Sequence, residues 1–441
     1  FSPLPSQPAN TEEKPLSSWR RAGRRVGRIL FHLVLWPVVL MGLIAVLIYV
    51  PPVQDLLRGK AVTFLKEKTG TEVQLSHLAL RFPIGVTLEG LYVEDQQGDT
   101  LLYAGTVKSR VGLMALLDQR IILGAVELAD VRASILQTQD STFNFDFIIA
   151  GFAGSDTTAT PADTSGGWDF SIEDIKLRNV VLDLELRPAS LGMDLQLGEL
   201  YVDMDRFQLD PQRFHIDHFA LRNTRVDMRT AGGPPEPDAY PALVNPLADI
   251  DVRFKELALE NVAFTQKTTN TGDSLWLAAR HFTATTESMD LTHQQLALHD
   301  LMLNDIRFGM LTADTSATEK TNSAMPPWLD QNDGFRYFLR DWNVTANTIK
   351  VLDSDIAMHS GRIATPKSLA DPHHIVLNSV DLELNDVQLD NAHVLATLNA
   401  LNVTSGPDDT RLHASLALKA TPASIMIEHG VIDAANNRIE F

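Results

Sequence analysis

Twenty-two residues from Ile29 to Val50, ILFHLVLWPVVLMGLIAVLIYV, contain no Asp, Glu, Lys or Arg and follow a stretch with Arg20, Arg21, Arg24, Arg25 and Arg28. At about 1.5 Å of rise per residue this segment reaches roughly 33 Å as a helix, enough to cross a hydrocarbon core of about 30 Å. Arginines favour the cytoplasmic side, so the pattern predicts a cytoplasmic basic arm over 1–28, a transmembrane helix over 29–50, and everything after Pro51 on the far side. A cleaved signal peptide is the competing reading, but it needs a shorter apolar run and a small-residue cleavage site. Tyr49-Val50-Pro51-Pro52-Val53 offers no Ala-x-Ala pattern.

The chain carries 37 Lys+Arg against 56 Asp+Glu, a formal net charge of -19. The arm itself is basic, so the acidic excess lies beyond the anchor. Dispersed negative charge argues against a nucleic-acid partner, because phosphate binding needs clustered Lys and Arg. The absence of cysteine excludes disulfides, thiolate metal sites and cysteine nucleophiles. The chain opens on Phe1 and stops at Arg438-Ile-Glu-Phe441 within an alternating run, so a longer parent chain is expected.

After the anchor, Val53, Leu56, Leu57, Ala61, Phe64 and Leu65 recur at helical spacing and Gly70 closes the run, predicting a juxtamembrane amphipathic helix over 53–69. From Thr71 the period changes to two, predicting a repetitive β domain over 71–441. A loose unit recurs within it: VELADVRASI (126–135), IKLRNVVLDL (175–184), FALRNTRVDM (219–228), LALENVAFTQ (257–266), LMLNDIRFGM (301–310) and LELNDVQLDN (382–391), with a weaker copy at IKVLDSDIAM (349–358). Each copy places Asn or Asp where the alternation breaks, at Asp130, Asn179, Asn223, Asn261, Asp305, Asp353 and Asp386. These residues tolerate left-handed backbone, so each copy reads as two short strands meeting at a corner. Loops are expected near 151–167, 230–246 and 312–332, and their irregular spacing suits a solenoid-like sheet better than a propeller. With about 13 residues per strand and turn the domain would hold roughly 25 to 28 strands and span roughly 120 to 135 Å. Trp328–Trp342 reads as one later helix with Phe335, Phe338, Leu339 and Trp342 on a shared face.

No Gly-x-Gly-x-x-Gly, Walker loop, Gly-x-Ser-x-Gly elbow or His-Glu-x-x-His occurs, so no catalytic, cofactor-binding or metal residues are assigned. His359, His373 and His374 lie closest together, and they read as surface histidines before a strand rather than as metal ligands. The apolar phase of the strands then decides the function. In a closed sandwich or barrel it fills an interior. In a long sheet held at a membrane, an open apolar face instead makes a groove for acyl chains, with Val73, Leu75, Leu80, Phe82, Val86, Leu88, Leu91 and Val93 as its first lining residues.

The anchor region together with LEGLYVEDQQGDTLLYA (88–104), VELADVRASI and DSTFNFDFII (140–149) resembles the amino-terminal region of the TamB family of Bacteroidetes-type bacteria, within the wider AsmA-like group. The resemblance implies a non-enzymatic bacterial inner-membrane protein whose periplasmic part is an elongated, groove-like β-structure called a taco. It implies phospholipid acyl chains as cargo conducted towards the outer membrane, and a TamA-like outer-membrane barrel partner reached through carboxyl-terminal residues outside this sequence. Three readings stay open: lipid conduction along the groove, assembly of outer-membrane proteins by offering sheet edges to nascent strands, and an anchored enzyme or adhesin with an ordinary packed interior.

Overall fold

The computed structural model describes scattered residues between 32 and 47 and most of 49–441, leaving out chiefly 1–31, 82–84, 112–119, 153–168, 232–250, 314–328, 336–341 and 364–372. The proposed span 29–50 and the loops near 151–167, 230–246 and 312–332 fall largely outside the described residues. Among those described, no helix is long and apolar enough to cross a membrane.

Among the described residues the protein is mainly β, with 75% in strands. Helix α1 (Pro51–Thr69) follows Val50, starts on two prolines that favour a first turn, and ends on Gly70 at φ 69°. Short strands β1 (Val73–Gln74) and β2 (His77–Arg81) lie along β3 (Gly85–Glu94), followed by β4 (Thr100–Val111) and β5 (Arg120–Gln137). Helix α2 (Asp146–Phe152) precedes β6 (Asp169–Leu186), β7 (Leu191–Leu209), β8 (Gln212–Thr230), β9 (Asp251–Thr268), β10 (Ser274–Asp290) and β11 (Gln295–Ala313). A two-residue ladder of β12 (Leu329–Asp330) and β13 (Gly334–Phe335) stands apart. The sheet resumes with β14 (Asn343–Gly361), β15 (His374–Leu389), β16 (Val394–Ser405), β17 (Thr410–Thr421), β18 (Ser424–Ala434) and β19 (Asn437–Glu440).

Among the described residues, seventeen strands form one mixed sheet in which each long strand pairs with the long strands next to it in sequence. Pairing is antiparallel except at three steps, β5 with β6, β8 with β9 and β11 with β14. The three loop-like stretches of the sequence sit at those steps, as they must: a parallel neighbour can begin only after the chain has returned along the whole strand.

Two expectations are corrected. The repeat units are not pairs of strands; each runs through its Asn or Asp inside one continuous strand, 18 residues long in β5, β6 and β9 and 19 in β8, β11 and β14. The sheet therefore has far fewer strands than the sequence estimate. Stacking sixteen rungs at about 4.8 Å gives roughly 72 Å. The expected helix over Trp328–Trp342 is replaced, where it is described, by the β12–β13 ladder, in which Leu329 pairs with Phe335 and Asp330 with Gly334.

Candidate functional site: an apolar trough between two pleat interruptions

All seven predicted corner residues have left-handed backbone: Asp130 (φ 56°), Asn179 (51°), Asn223 (49°), Asn261 (52°), Asp305 (50°), Asp353 (46°) and Asp386 (52°). The first six face one another at the parallel steps, and the ladder skips each pair. Asn179 Nδ2 donates to Asp130 Oδ1 at 3.0 Å, and Asn261 Nδ2 donates to Asn223 Oδ1 at 3.2 Å. Gly198 on β7, between these pairs, and Gly105 on β4, beside Asp130, continue the row; a Cβ on Gly198 would lie 2.7 Å from Asn223 O, and one on Gly105 2.9 Å from Asp130 Cβ. The backbone approach at this line thus requires glycine. Where Val or Ile follows the corner elsewhere, Thr224 and Ser354 donate hydroxyls to Arg222 O (3.1 Å) and Leu352 O (2.9 Å), satisfying carbonyls beside the left-handed residue.

A second line of interruptions runs parallel to the first. The ladder also skips Gly124 with Glu173, Asp217 with Lys255, and His299 with Asn347. In all six strands the two interruptions are six residues apart, for example Lys255 and Asn261 or Asn347 and Asp353. Skipping one residue moves the side-chain phase by one and bends the strand. The apolar series of β9 shows the effect: Val252, Phe254, then Leu257, Leu259, then Val262, Phe264, with a three-residue step at each line. The apolar side chains thereby stay on one face through both bends. Each long strand has a middle segment about 20 Å long, at about 3.3 Å per residue, flanked by two walls.

That middle segment carries a continuous apolar ladder. Reading directly opposed residues across the sheet, Leu78, Leu88, Val107, Leu128, Leu177, Leu200, Leu221 and Leu259 lead into Phe282, Leu303, Val351, Leu382, Leu401, Ala414, Ile432 and Ile439. No polar side chain interrupts the sixteen rungs. From Leu88 to Leu401 every rung is only partly buried, which a sandwich or barrel interior would not leave so.

Two elements cover parts of this inner face. At the amino-terminal end α1, α2 and Phe145 just before α2 place Leu65, Phe145, Phe147 and Ile148 against Val73, Leu91, Val93 and Leu101. Asn144 docks this cap on β5, accepting from Leu136 N and donating to Ser134 O, both at 3.0 Å. Along one wall Trp342 packs with Val252 and Val344 among Phe214, Phe254, Met289, Leu296 and Leu389.

The proposed lining residues consequently divide. Val86 opposes Leu80 and Leu88 opposes Leu78, so these open the trough. Val73, Leu91 and Val93 belong to the closed cluster beneath the cap, Leu75 is buried beside α1, and Phe82 lies outside the described residues. Sequence reasoning missed the deeper rungs at Leu177, Leu221 and Leu259, whose alignment depends on cross-strand register.

The outer face is polar and laced with cross-strand ion pairs: Lys108 and Arg178 with Glu127 (3.6 and 3.3 Å), Arg222 with Glu199 and Glu260 (3.4 and 3.2 Å), and Lys350 with Glu383 (3.6 Å). These side chains are substantially solvated, so each pair is worth about 0.2–1 kcal/mol. Arg222→Ala is expected to shift the denaturation midpoint only slightly despite losing two partners. The same face holds an open depression of about 640 Å³ at the first interruption line, lined by Tyr103, Arg132, Gln196 and the corner residues Asp130, Asn179 and Asn223.

No group of three His, Asp or Glu among the described residues could hold a metal ion. His359 and His374 are not the surface pair expected. His359 is buried, the rings lie 5.6 Å apart, and neither Nδ1 has a hydrogen-bond partner. Burial, and next the neighbouring His374, hold the His359 imidazole below its usual pKa of 6.5. A folded-state value below the unfolded one means that stability is complete above pH 6.5 and falls as pH drops through that value towards the folded pKa. His359→Leu is expected to flatten this dependence, measured as the unfolding midpoint between about pH 7 and pH 5.

No protein-family model and no curated protein sequence matches this chain.

Proposed function

We propose that this chain is an inner-membrane-anchored, TamB-like protein of the AsmA-like group that conducts phospholipids along its apolar trough towards the outer membrane, supporting outer-membrane biogenesis. The observation that carries this reading is the sixteen-rung apolar ladder, partly exposed along most of its length and flanked by bends that keep both walls apolar inside. Passive conduction needs no catalytic residues: acyl chains leave water along the ladder while headgroups stay solvated at its mouth. An apolar surface of this extent calls for an occupant.

The alternative, an assembly factor for outer-membrane β-barrel proteins acting with a TamA-like partner, needs an available sheet edge. It draws less support, because α1 packs against β1 and β2 at the amino-terminal edge. The test is mass spectrometry of lipids retained by the purified chain, compared with its residues 1–70 alone. More phospholipid per full chain is expected; equal retention would leave only anchor-bound lipid and reject conduction.

A further inference from the structure

Helix α1 has two faces with different fates. One packs on the sheet: Arg58 Nη1 donates to Leu75 O at 3.2 Å, Leu65 joins the capped cluster, and Thr69 is buried. The other carries Leu56 at 63% exposure and Phe64 at 50%, with Leu57 beside them and Lys60, Lys68 and Glu67 on the same open side, a net positive charge of one. The sequence placed Val53, Leu56, Leu57, Ala61, Phe64 and Leu65 on one apolar face; the fold divides them, sending Leu65 to the capped cluster and leaving Leu56 and Phe64 exposed.

Chain continuity indicates what covers the outward group. Val50 O accepts from Val53 N (2.9 Å) and Gln54 N (3.3 Å), so α1 begins without a spacer after the apolar run. Described residues between 32 and 47 are helical, and Leu40, Leu43, Val46 and Leu47 are exposed. A helix that starts at the last residue of a membrane span lies at the interface of that leaflet.

We propose that α1 is an interfacial ledge, with Leu56, Leu57 and Phe64 entering the boundary between headgroups and acyl chains and Lys60 and Lys68 set against anionic headgroups. This rests on the membrane-anchor part of the function proposed above. Leu and Phe interleaved with lysines long enough to reach the headgroups suit a helix lying in the interfacial plane. One consequence concerns the trough. The sheet packs on the opposite face of the same helix, so its first strands lie within about one helix diameter, about 10–12 Å, of the leaflet. Lipid leaving that leaflet meets Leu80, Val86 and Leu88 first.

The experiment places a photo-crosslinking residue at Leu40, Leu56, Phe64 or Tyr103 in the full chain, reconstituted in nanodiscs of phosphatidylethanolamine and phosphatidylglycerol. Lipid adducts are expected at Leu40, Leu56 and Phe64, with none at Tyr103 on the outer face. Adducts at Leu40 alone overturn the ledge and leave the anchor standing. Protein adducts at Leu56 and Phe64 overturn it in favour of a protein partner. Absence of lipid at all four positions overturns the anchor together with the ledge. Within the expected outcome, Lys60→Glu with Lys68→Glu should lower the adduct yield at Phe64 several-fold, and should do so only when phosphatidylglycerol is present.

Discussion

Leu177→Arg combined with Leu259→Arg is expected to stop lipid movement along the trough while leaving the sheet folded. Both residues are rungs of the apolar ladder, separated by Leu200 and Leu221, and both are only partly buried. An arginine in a packed core would leave an uncompensated charge and unfold it. Here the guanidinium can reach water across the open trough, so the cost falls on the cargo instead. Moving an acyl chain past a charge is comparable to placing that charge in hydrocarbon, about 2.5–3.5 kcal/mol on the insertion scale. That corresponds to roughly a hundred-fold loss per site at about 1.4 kcal/mol per decade. The measurement is a lipid adduct at Leu382 compared with Leu128. In the double variant the Leu382 adduct should vanish and the Leu128 adduct remain. Unchanged adducts at both positions would mean that the ladder is not the path.

Asn179→Val should be the most damaging single change at the bends. Asn179 holds φ 51°, and its side chain donates to Asp130 across the parallel step between β5 and β6. Left-handed backbone costs a residue with a Cβ about 1–2 kcal/mol, and a β-branched side chain cannot recover any of it through local hydrogen bonding. Loss of the Asn179–Asp130 bond adds about 0.5–1.5 kcal/mol. A combined cost of about 1.5–3.5 kcal/mol would raise local opening roughly ten- to 300-fold at about 1.4 kcal/mol per decade, read as hydrogen exchange of backbone amides in β5, β6 and β7. Asn179→Gly separates the two contributions: it accepts the backbone and loses only the side-chain bond, so it should open by about tenfold or less. Equal damage from Gly and Val would mean that the hydrogen bond, rather than the left-handed corner, maintains the bend.

The corners were legible because Asn and Asp announce left-handed backbone where a two-residue alternation breaks, as in LRNVVL around Asn179. Their meaning was misread. A break in alternation looks the same whether the chain turns back or only bends, and reading Asn179 as a junction of two strands inflated the strand count. The second line of interruptions escaped notice for a different reason. At Asp217, Lys255, His299 and Asn347 the skipped residue is polar and solvent-facing, as ordinary outward residues are, and none has left-handed backbone. Only the three-residue step between apolar neighbours, such as Phe254 to Leu257, marks them. The ladder itself could not be read from any one strand, since the alignment of Leu221 with Leu259 is fixed by pairing across a parallel step. Among the early lining residues, Leu91 and Val93 have the same alternation as Leu88; what separates them is the cap formed by Leu65, Phe145 and Phe147 from distant segments.

The most direct test of the trough is photo-crosslinking at two inner positions far apart along the sheet, Leu88 and Leu303, with Arg222 on the outer face as reference. Phospholipid adducts at Leu88 and Leu303 and none at Arg222 are the predicted result. Adducts only to protein at the inner positions, or equal lipid labelling on both faces, would contradict a continuous apolar conduit.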